Sequence, residues 1–126
     1  MVFKSGETNI ICTNLEKSLV FYQDILGFIF VEEEQGAVRL VLSGRYYLLL
    51  PFASQTRPTW EYCSAPDISF DLLVDDLEQA FHYLKAHRVK FAQKWSANES
   101  NFLIYDPDRL IIEIVEAAIA TQYKDQ

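Results

Sequence analysis

The sequence has no cluster of basic residues and no long apolar run. Its 126 residues carry 11 Lys and Arg against 18 Asp and Glu, a formal net charge of −7. A protein that binds nucleic acid or an anionic membrane needs concentrated positive charge to meet the phosphates, and the sequence has none. A bilayer-spanning helix needs about 20 consecutive apolar residues, far more than any run here. We therefore expect neither nucleic acid nor a membrane among the partners.

Cysteine and histidine are equally scarce. Cys12 and Cys63 match no metal-ligand spacing, so they indicate neither a disulfide scaffold nor a zinc site. The only histidines, His82 and His87, lie five positions apart, whereas two imidazoles on one helix bind one metal ion at a spacing of four. Because the cysteine pattern suggests no disulfides, we expect a reducing, cytoplasmic location.

The chain does have enough apolar sequence for one packed domain, since 50% of its residues are hydrophobic. Residues 7–12 are typical of a strand. Asn14 then begins a predicted helix, whose apolar side chains recur at helical spacing. The helix is expected to end at about Leu26, because Gly27 is suited to a left-handed C-terminal cap. Three more strands are predicted at residues 28–33, 38–42 and 46–50, separated by the hairpin turns Gln35-Gly36 and Ser43-Gly44.

The second half of the chain repeats the pattern of the first. A shift of 62 positions places Asn14-Leu15-Glu16 on Asp76-Leu77-Glu78, and a shift of 64 places residues 45–50 on residues 109–114. Repeats of this length indicate duplicated supersecondary units. The prediction is one α+β domain over residues 1–126, with βαβββ modules at about 5–52 and 67–117 and a linker at about 53–66.

These motifs resemble the vicinal oxygen chelate superfamily, which includes glyoxalases, bleomycin resistance proteins and extradiol dioxygenases. The resemblance covers residues 7–116. It rests on Asn14-Leu15-Glu16-Lys17-Ser18, Phe21-Tyr22, Ile25-Leu26-Gly27-Phe28, Val74-Asp75-Asp76-Leu77, Asp106-Pro107-Asp108 and Leu110-Ile111-Ile112-Glu113. It implies paired, curled mixed sheets that form an open cup around a ligand or metal, and usually a homodimer. The family usually has Gly where Arg109 stands, which predicts either another turn geometry or an outward contact of the arginine.

The resemblance also implies four metal-ligand positions, which fall here on Glu7, Leu49, Ser69 and Glu113. Leucine offers no donor atom, and a neutral serine hydroxyl is a poor substitute for histidine. We therefore expect no cofactor. The alternative is a divalent ion, Ni, Zn, Mn or Fe, held by Glu7 and Glu113.

Glu113 is the strongest candidate for a functional residue, because it stands alone in an aliphatic strand and a buried unpaired carboxylate is costly. An ion pair, a hydrogen bond or exposure at a sheet edge would also explain it. If Glu7 converges with Glu113, each carboxylate raises the pKa of the other and one can act as a general base. The other predicted ligand contacts are Asn9, Tyr47, Leu49, Trp60, Ser69, Asp71 and Tyr105.

These observations predict a metal-independent protein that binds a small apolar or aromatic ligand in the cup and forms a homodimer. A metal-dependent lyase or dioxygenase that uses Glu7 and Glu113 is the alternative, so whether the chain is an enzyme stays open. A third possibility is an interaction module with a vestigial pocket.

Overall fold

The computed structural model describes residues 1–96 and 98–120, without the side chains of residues 119 and 120. The chain divides into two compact units, Met1–Thr56 and Arg57–Gln126, called unit 1 and unit 2 below. Each unit holds one mixed sheet. Unit 1 follows the βαβββ order in full, and unit 2 follows it with the second strand reduced to a single bridge, which confirms the predicted α+β fold class. No helix in the described ranges is long and apolar enough to cross a membrane.

Unit 1 contains a four-stranded sheet in the order β1-β4-β3-β2. Its strands are β1 (Thr8–Ile11), β2 (Ile29–Glu34), β3 (Ala37–Leu42) and β4 (Arg45–Leu50). Strand β1 is parallel to β4, and the other two pairs are antiparallel. Both predicted hairpin turns are present, and all four of their residues, Gln35, Gly36, Ser43 and Gly44, have positive φ, as type I′ turns require.

The helix of unit 1 begins where the sequence predicts but is not uniform. The Asn14 side chain accepts a hydrogen bond from the backbone N–H of Lys17 and caps α1 (Leu15–Leu19). The chain continues as a π-helical turn (Val20–Ile25) and leaves it through Gly27 at φ +82°. The expected single α-helix to about Leu26 is therefore wrong in its second half.

The helical segment packs on one face of the sheet through a row of rings. The centroids of Tyr22 and Phe28 lie 5.3 Å apart, and those of Phe28 and Tyr47 lie 4.8 Å apart. Leu49, two residues beyond Tyr47 on β4, is fully buried on the same face. This layer is the core of unit 1.

Unit 2 contains a three-stranded sheet in the order β5-β7-β6. Its elements are β5 (Phe70–Val74), α2 (Leu77–Ala86), β6 (Asn101–Tyr105), β7 (Ile111–Glu116) and the short α3 (Ala117–Ala120). Asp76 caps α2 by accepting from the backbone N–H of Gln79. The second strand of the predicted βαβββ module is reduced to one bridge between Phe91 and Ile104.

An aromatic cluster joins α2 to the sheet of unit 2. Phe81 of α2 lies 4.9 Å from Phe91, 4.8 Å from Trp95 and 5.9 Å from Phe102, measured between ring centroids. Phe102 and its register partner Ile114 are therefore on the helix side of the sheet. Their strand neighbours alternate to the opposite side.

Candidate functional site

The face of the unit 1 sheet that points away from the helix carries a network of charged groups. Arg39 donates to both carboxylate oxygens of Glu7, from Nε to Oε2 at 2.8 Å and from Nη2 to Oε1 at 3.0 Å. Arg39 also pairs with Glu32, and its Nη1 lies 3.8 Å from Glu34. The hydrogen bond from Arg39 holds the pKa of Glu7 below its ordinary value. Glu7 is thus a fully occupied partner in a bidentate ion pair.

The four predicted contacts of unit 1 separate onto two faces. Asn9 is the register partner of Leu48, which in turn pairs with Arg39, so Asn9 shares the Arg39 face with Glu7. Tyr47 is 6% exposed and Leu49 is 0% exposed, and both lie in the buried layer against the helix. Burial also raises the pKa of Tyr47. Tyr47 and Leu49 are core residues in this structure, and they are not brought together with Glu7 and Asn9.

Unit 2 contains a cavity of about 230 Å³ on the sheet face opposite α2. Its walls come from the segment before β5, which ends with Ser69, and from Ile111 at the start of β7. The lining residues are Arg57, Trp60, Tyr62, Cys63, Ala65, Pro66, Asp67, Ile68, Ser69 and Ile111. The chain between Leu50 and Phe70, all of it described, forms neither helix nor strand, so the predicted linker supplies most of the cavity wall.

Local contacts hold this wall segment in place. The Tyr62 hydroxyl and the Ser69 hydroxyl are hydrogen-bonded at 3.0 Å. Arg57 pairs with Asp67 and lies over the Trp60 ring, 5.5 Å from its centroid. Arg109 donates from Nη1 to the carbonyl oxygen of Arg57 at 3.2 Å. The first two sets of contacts join wall residues to one another, and the Arg109 contact ties the start of the wall to the turn before β7.

Two carboxyl groups lie next along the sheet face that carries the cavity, beyond its lining residues. Asp71 of β5 lies two residues beyond Ser69, and Glu113 lies two residues beyond Ile111 on β7, a rise of about 6.6 Å along that strand. Asp71 and Glu113 are register partners on neighbouring strands, and the Asn101 side-chain N–H donates to Glu113. Burial is the main cause that raises the pKa of Glu113. The Asn101 hydrogen bond opposes this shift, and the charge of Asp71 and a hydrogen bond with the Asp71 side chain add to it.

The structure therefore gathers four of the predicted contacts of unit 2 in or beside one cavity. Trp60 and Ser69 line it, and Asp71 and Glu113 follow it. Tyr105 is half-buried and is the register partner of Ile111, which places it on the same face without lining the cavity.

Sequence reasoning missed the partners of these residues. Arg39 carries a signal that could have been used, because it is the single charge in the strand Ala37–Leu42, just as Glu113 is the single charge among its aliphatic neighbours. Asn101 and Asp67 are ordinary polar residues at the edges of loops, and no local pattern marks them.

A model of the Glyoxalase/Bleomycin resistance protein/Dioxygenase superfamily matches residues 4–114. The chain belongs to this superfamily. It is 32% identical over 119 residues to the uncharacterized protein YaeR of Escherichia coli (strain K12), covering 85% of this chain and 91% of that protein. The resemblance stated from the sequence motifs is thereby confirmed.

Solved structures of the superfamily share the fold. The trypanothione-dependent glyoxalase I of Leishmania major superposes with a TM-score of 0.75 at 17% identity, covering 94% of this chain and 90% of that one. The fosfomycin resistance protein FosX of Listeria monocytogenes superposes with a TM-score of 0.73 at 14% identity, covering 93% of this chain and 95% of that one. Lactoylglutathione lyase from Agrobacterium tumefaciens superposes with a TM-score of 0.66 at 18% identity, covering 92% of this chain and 95% of that one. At these identities the likeness concerns the fold alone.

The residues at the four superfamily metal positions do not fit a divalent ion. Both oxygens of Glu7 bind Arg39, and Leu49 is a buried hydrocarbon. The Ser69 hydroxyl is engaged with Tyr62, and Glu113 with Asn101. No group of three or more His, Cys, Asp or Glu side chains within residues 1–96 and 98–120 has an arrangement that could hold a metal ion.

Proposed function

We propose that the protein is a metal-independent member of the superfamily that binds a small apolar or aromatic molecule in the cavity of unit 2. The observation that carries the proposal is the cavity itself, lined by Trp60, Tyr62 and Ile111 and fitted with a few polar groups. Such a mixture of apolar walls and placed polar atoms is characteristic of ligand sites. We also propose a homodimer and a cytoplasmic location.

Metal independence rests on the ion pair between Glu7 and Arg39. A guanidinium that binds both carboxylate oxygens already compensates the charge that a metal ion would meet. The test is elemental analysis of tag-free protein, purified without chelator, incubated with Ni, Zn, Mn or Fe and dialysed. We expect less than about 0.1 equivalent of metal per subunit. About one equivalent would overturn this part of the proposal and favour the lyase or dioxygenase alternative.

Ligand binding is tested with a set of fragment-sized aromatic compounds and isothermal titration calorimetry. We expect at least one compound to bind with a Kd of about 1 mM or lower, and Trp60→Ala to weaken its binding at least about tenfold by removing a cavity wall. Tyr83→Ala is the matched control. Tyr83 is another exposed aromatic of unit 2 and does not line the cavity, so its removal leaves affinity unchanged.

The reactivity of the two free cysteines provides an independent readout of where the ligand binds. Cys63 is exposed and lines the cavity, whereas Cys12 is buried in unit 1. A bound ligand is therefore expected to slow the alkylation of Cys63 at least about threefold, with Cys12 unreactive in the folded protein as the internal reference. Binding that leaves the rate at Cys63 unchanged would place the ligand elsewhere and contradict the proposal.

A further inference from the structure

The cavity of unit 2 is small, which limits what it can hold. Its volume of about 230 Å³ lies below the 300 to 1,000 Å³ typical of sites for drug-sized molecules. A single aromatic ring with one polar substituent is the size that fits. The inference below rests on the proposed function and concerns the charge of that substituent.

One wall of the cavity already contacts a planar cation. The Arg57 guanidinium lies 5.5 Å from the centroid of the Trp60 ring, within the range of cation–π attraction. Trp60 remains 41% exposed, so part of the indole is accessible to another group. The same ring that attracts Arg57 attracts any second flat cation that reaches it.

The charge balance along the cavity favours a positive ligand. Arg57 is the only cation among its described lining residues, and Asp67 neutralises it. Asp71 and Glu113 follow on the same sheet face, and no salt bridge to either is formed within the described ranges. Two neighbouring carboxyls without a counterion create a negative potential beside a partly apolar cavity.

A comparable group of carboxylates in unit 1 has a counterion, the guanidinium of Arg39. In unit 1, Glu7, Glu32 and Glu34 surround a guanidinium supplied by the chain itself. In unit 2 the described residues supply no such cation to Asp71 and Glu113, which lie two residues beyond the cavity-lining Ser69 and Ile111.

From these contacts we propose that the cavity of unit 2 selects a small planar cation, an amidinium or ammonium group on an aromatic ring, with the ring against Trp60 and the charge toward Asp71 and Glu113. Shape and apolar contact come from Trp60 and Ile111. The two carboxyls supply the preference for charge.

Three probes of nearly equal size test the preference: benzamidine as the cation, benzamide as the neutral compound and benzoate as the anion. Calorimetry on the full chain is expected to give affinities in that order, with benzamidine about tenfold or more tighter than benzamide. Equal affinities, or tighter binding of benzoate, would overturn the inference and leave the proposed function intact. If none of the three binds and the wider fragment set also fails, the proposed function falls with it.

Variants separate the effect of charge from loss of the fold. Glu113→Gln and Asp71→Asn keep the side-chain shape, and each is expected to bring the affinities for benzamidine and benzamide at least about threefold closer. Glu116→Gln is the matched control. It removes the same charge from β7, but residue 116 alternates to the opposite face of the strand from Glu113. A control effect as large as that of Glu113→Gln would show a general charge effect and contradict the assigned site.

Discussion

At the scale of the single residue, Ser18 places a hydroxyl in an apolar environment. Its side chain is fully buried in α1, and Oγ has no hydrogen-bond partner among the described residues. Burying a polar group without a partner costs free energy, and alanine is the better helix former. Ser18→Ala is therefore expected to raise the free energy of unfolding by about 1 kcal/mol, measured by urea denaturation.

The control for this substitution is Ser54→Ala in the exposed loop after β4, which is expected to change stability by less than about 0.5 kcal/mol. A loss of stability in Ser18→Ala would show that the hydroxyl is hydrogen-bonded.

The two candidate glutamates are expected to respond to pH with opposite signs. Glu113 has a pKa raised above the ordinary value of 4.5, chiefly by burial. The folded state therefore favours its protonated form, and its stabilising contribution is present below about pH 4.5 and lost as the pH rises through the raised pKa. As the pH rises from about 4 to about 7, the free energy of unfolding of Glu113→Gln is expected to increase relative to that of the wild type. Urea denaturation across that range measures the difference.

Glu7→Gln provides the opposite case. The hydrogen bond from Arg39 lowers the pKa of Glu7, so its stabilising contribution is present above the ordinary value and is lost as the pH falls through the lowered pKa. This variant is expected to be less stable than the wild type at neutral pH and equal to it in acid. If both variants shift in the same direction, at least one of the two assignments is wrong.

The roles of individual residues were only partly predictable from sequence. Local pattern accounts for the burial of Cys12, which shares the apolar alternation of Ile10 within residues 7–12. The partner of Glu7 lies 32 positions away on another strand, and such pairings are fixed by strand register, which the sequence does not specify residue by residue. Which face of the sheet Leu49 occupies depends on the same register, because a slip of one residue moves every side chain of a strand to the other face.

At the scale of elements, the hairpin turns depend on residues that adopt positive φ. Gly44 has φ +75° and no atom within 4 Å of an added Cβ, so substitution there tests the backbone conformation alone. Gly44→Ala is expected to lower the free energy of unfolding by about 1 kcal/mol, measured by thermal or urea denaturation.

Gly6→Ala is the matched control for that change. Gly6 also has open space around an added Cβ, but it lies before β1 without a positive φ, so the variant is expected to be neutral or slightly stabilised. Equal losses in both variants would mean that the left-handed conformation is not the cause.

Two features of the elements lay beyond local pattern. Asn14 and Gly27 mark the ends of the helical segment correctly, but the π-helical turn between them accompanies the packing of Tyr22 on Phe28, a tertiary contact. Arg109 keeps the left-handed conformation that glycine adopts freely, with φ +69°, and its side chain contacts the Arg57 carbonyl. Of the two expectations for that position, the outward contact is the one observed.

At the scale of the whole molecule, the sheet edges bear on assembly. Strand β2 is exposed along its length, has an irregular register after Phe30 and ends in three glutamates, all of which discourage pairing with another chain. Strands β1 and β5 are also edge strands of their sheets, but they have no run of consecutive charged residues to discourage pairing with another chain. Sedimentation equilibrium at micromolar concentration is expected to give a dimer of the 14.6 kDa chain. A monomer at that concentration would contradict the proposed homodimer.

The duplicated architecture was predictable because two helix caps and two strand patterns recur at nearly constant spacing along the chain. The cavity was not predictable. Its wall is the segment between β4 and β5, whose prolines and small residues show no period and indicated only a connection. A loop without regular structure takes its shape from contacts such as Arg57 with Asp67, and these are visible only once the chain is folded.

The placement of the aromatic residues also makes the two units optically distinct. Both tryptophans of the chain, Trp60 and Trp95, belong to unit 2. Light that excites only indole therefore reports on unit 2, while far-ultraviolet circular dichroism reports on both. Coincident unfolding curves from the two signals would show that the duplicated halves unfold as one cooperative system, and separated curves would reveal which half is lost first.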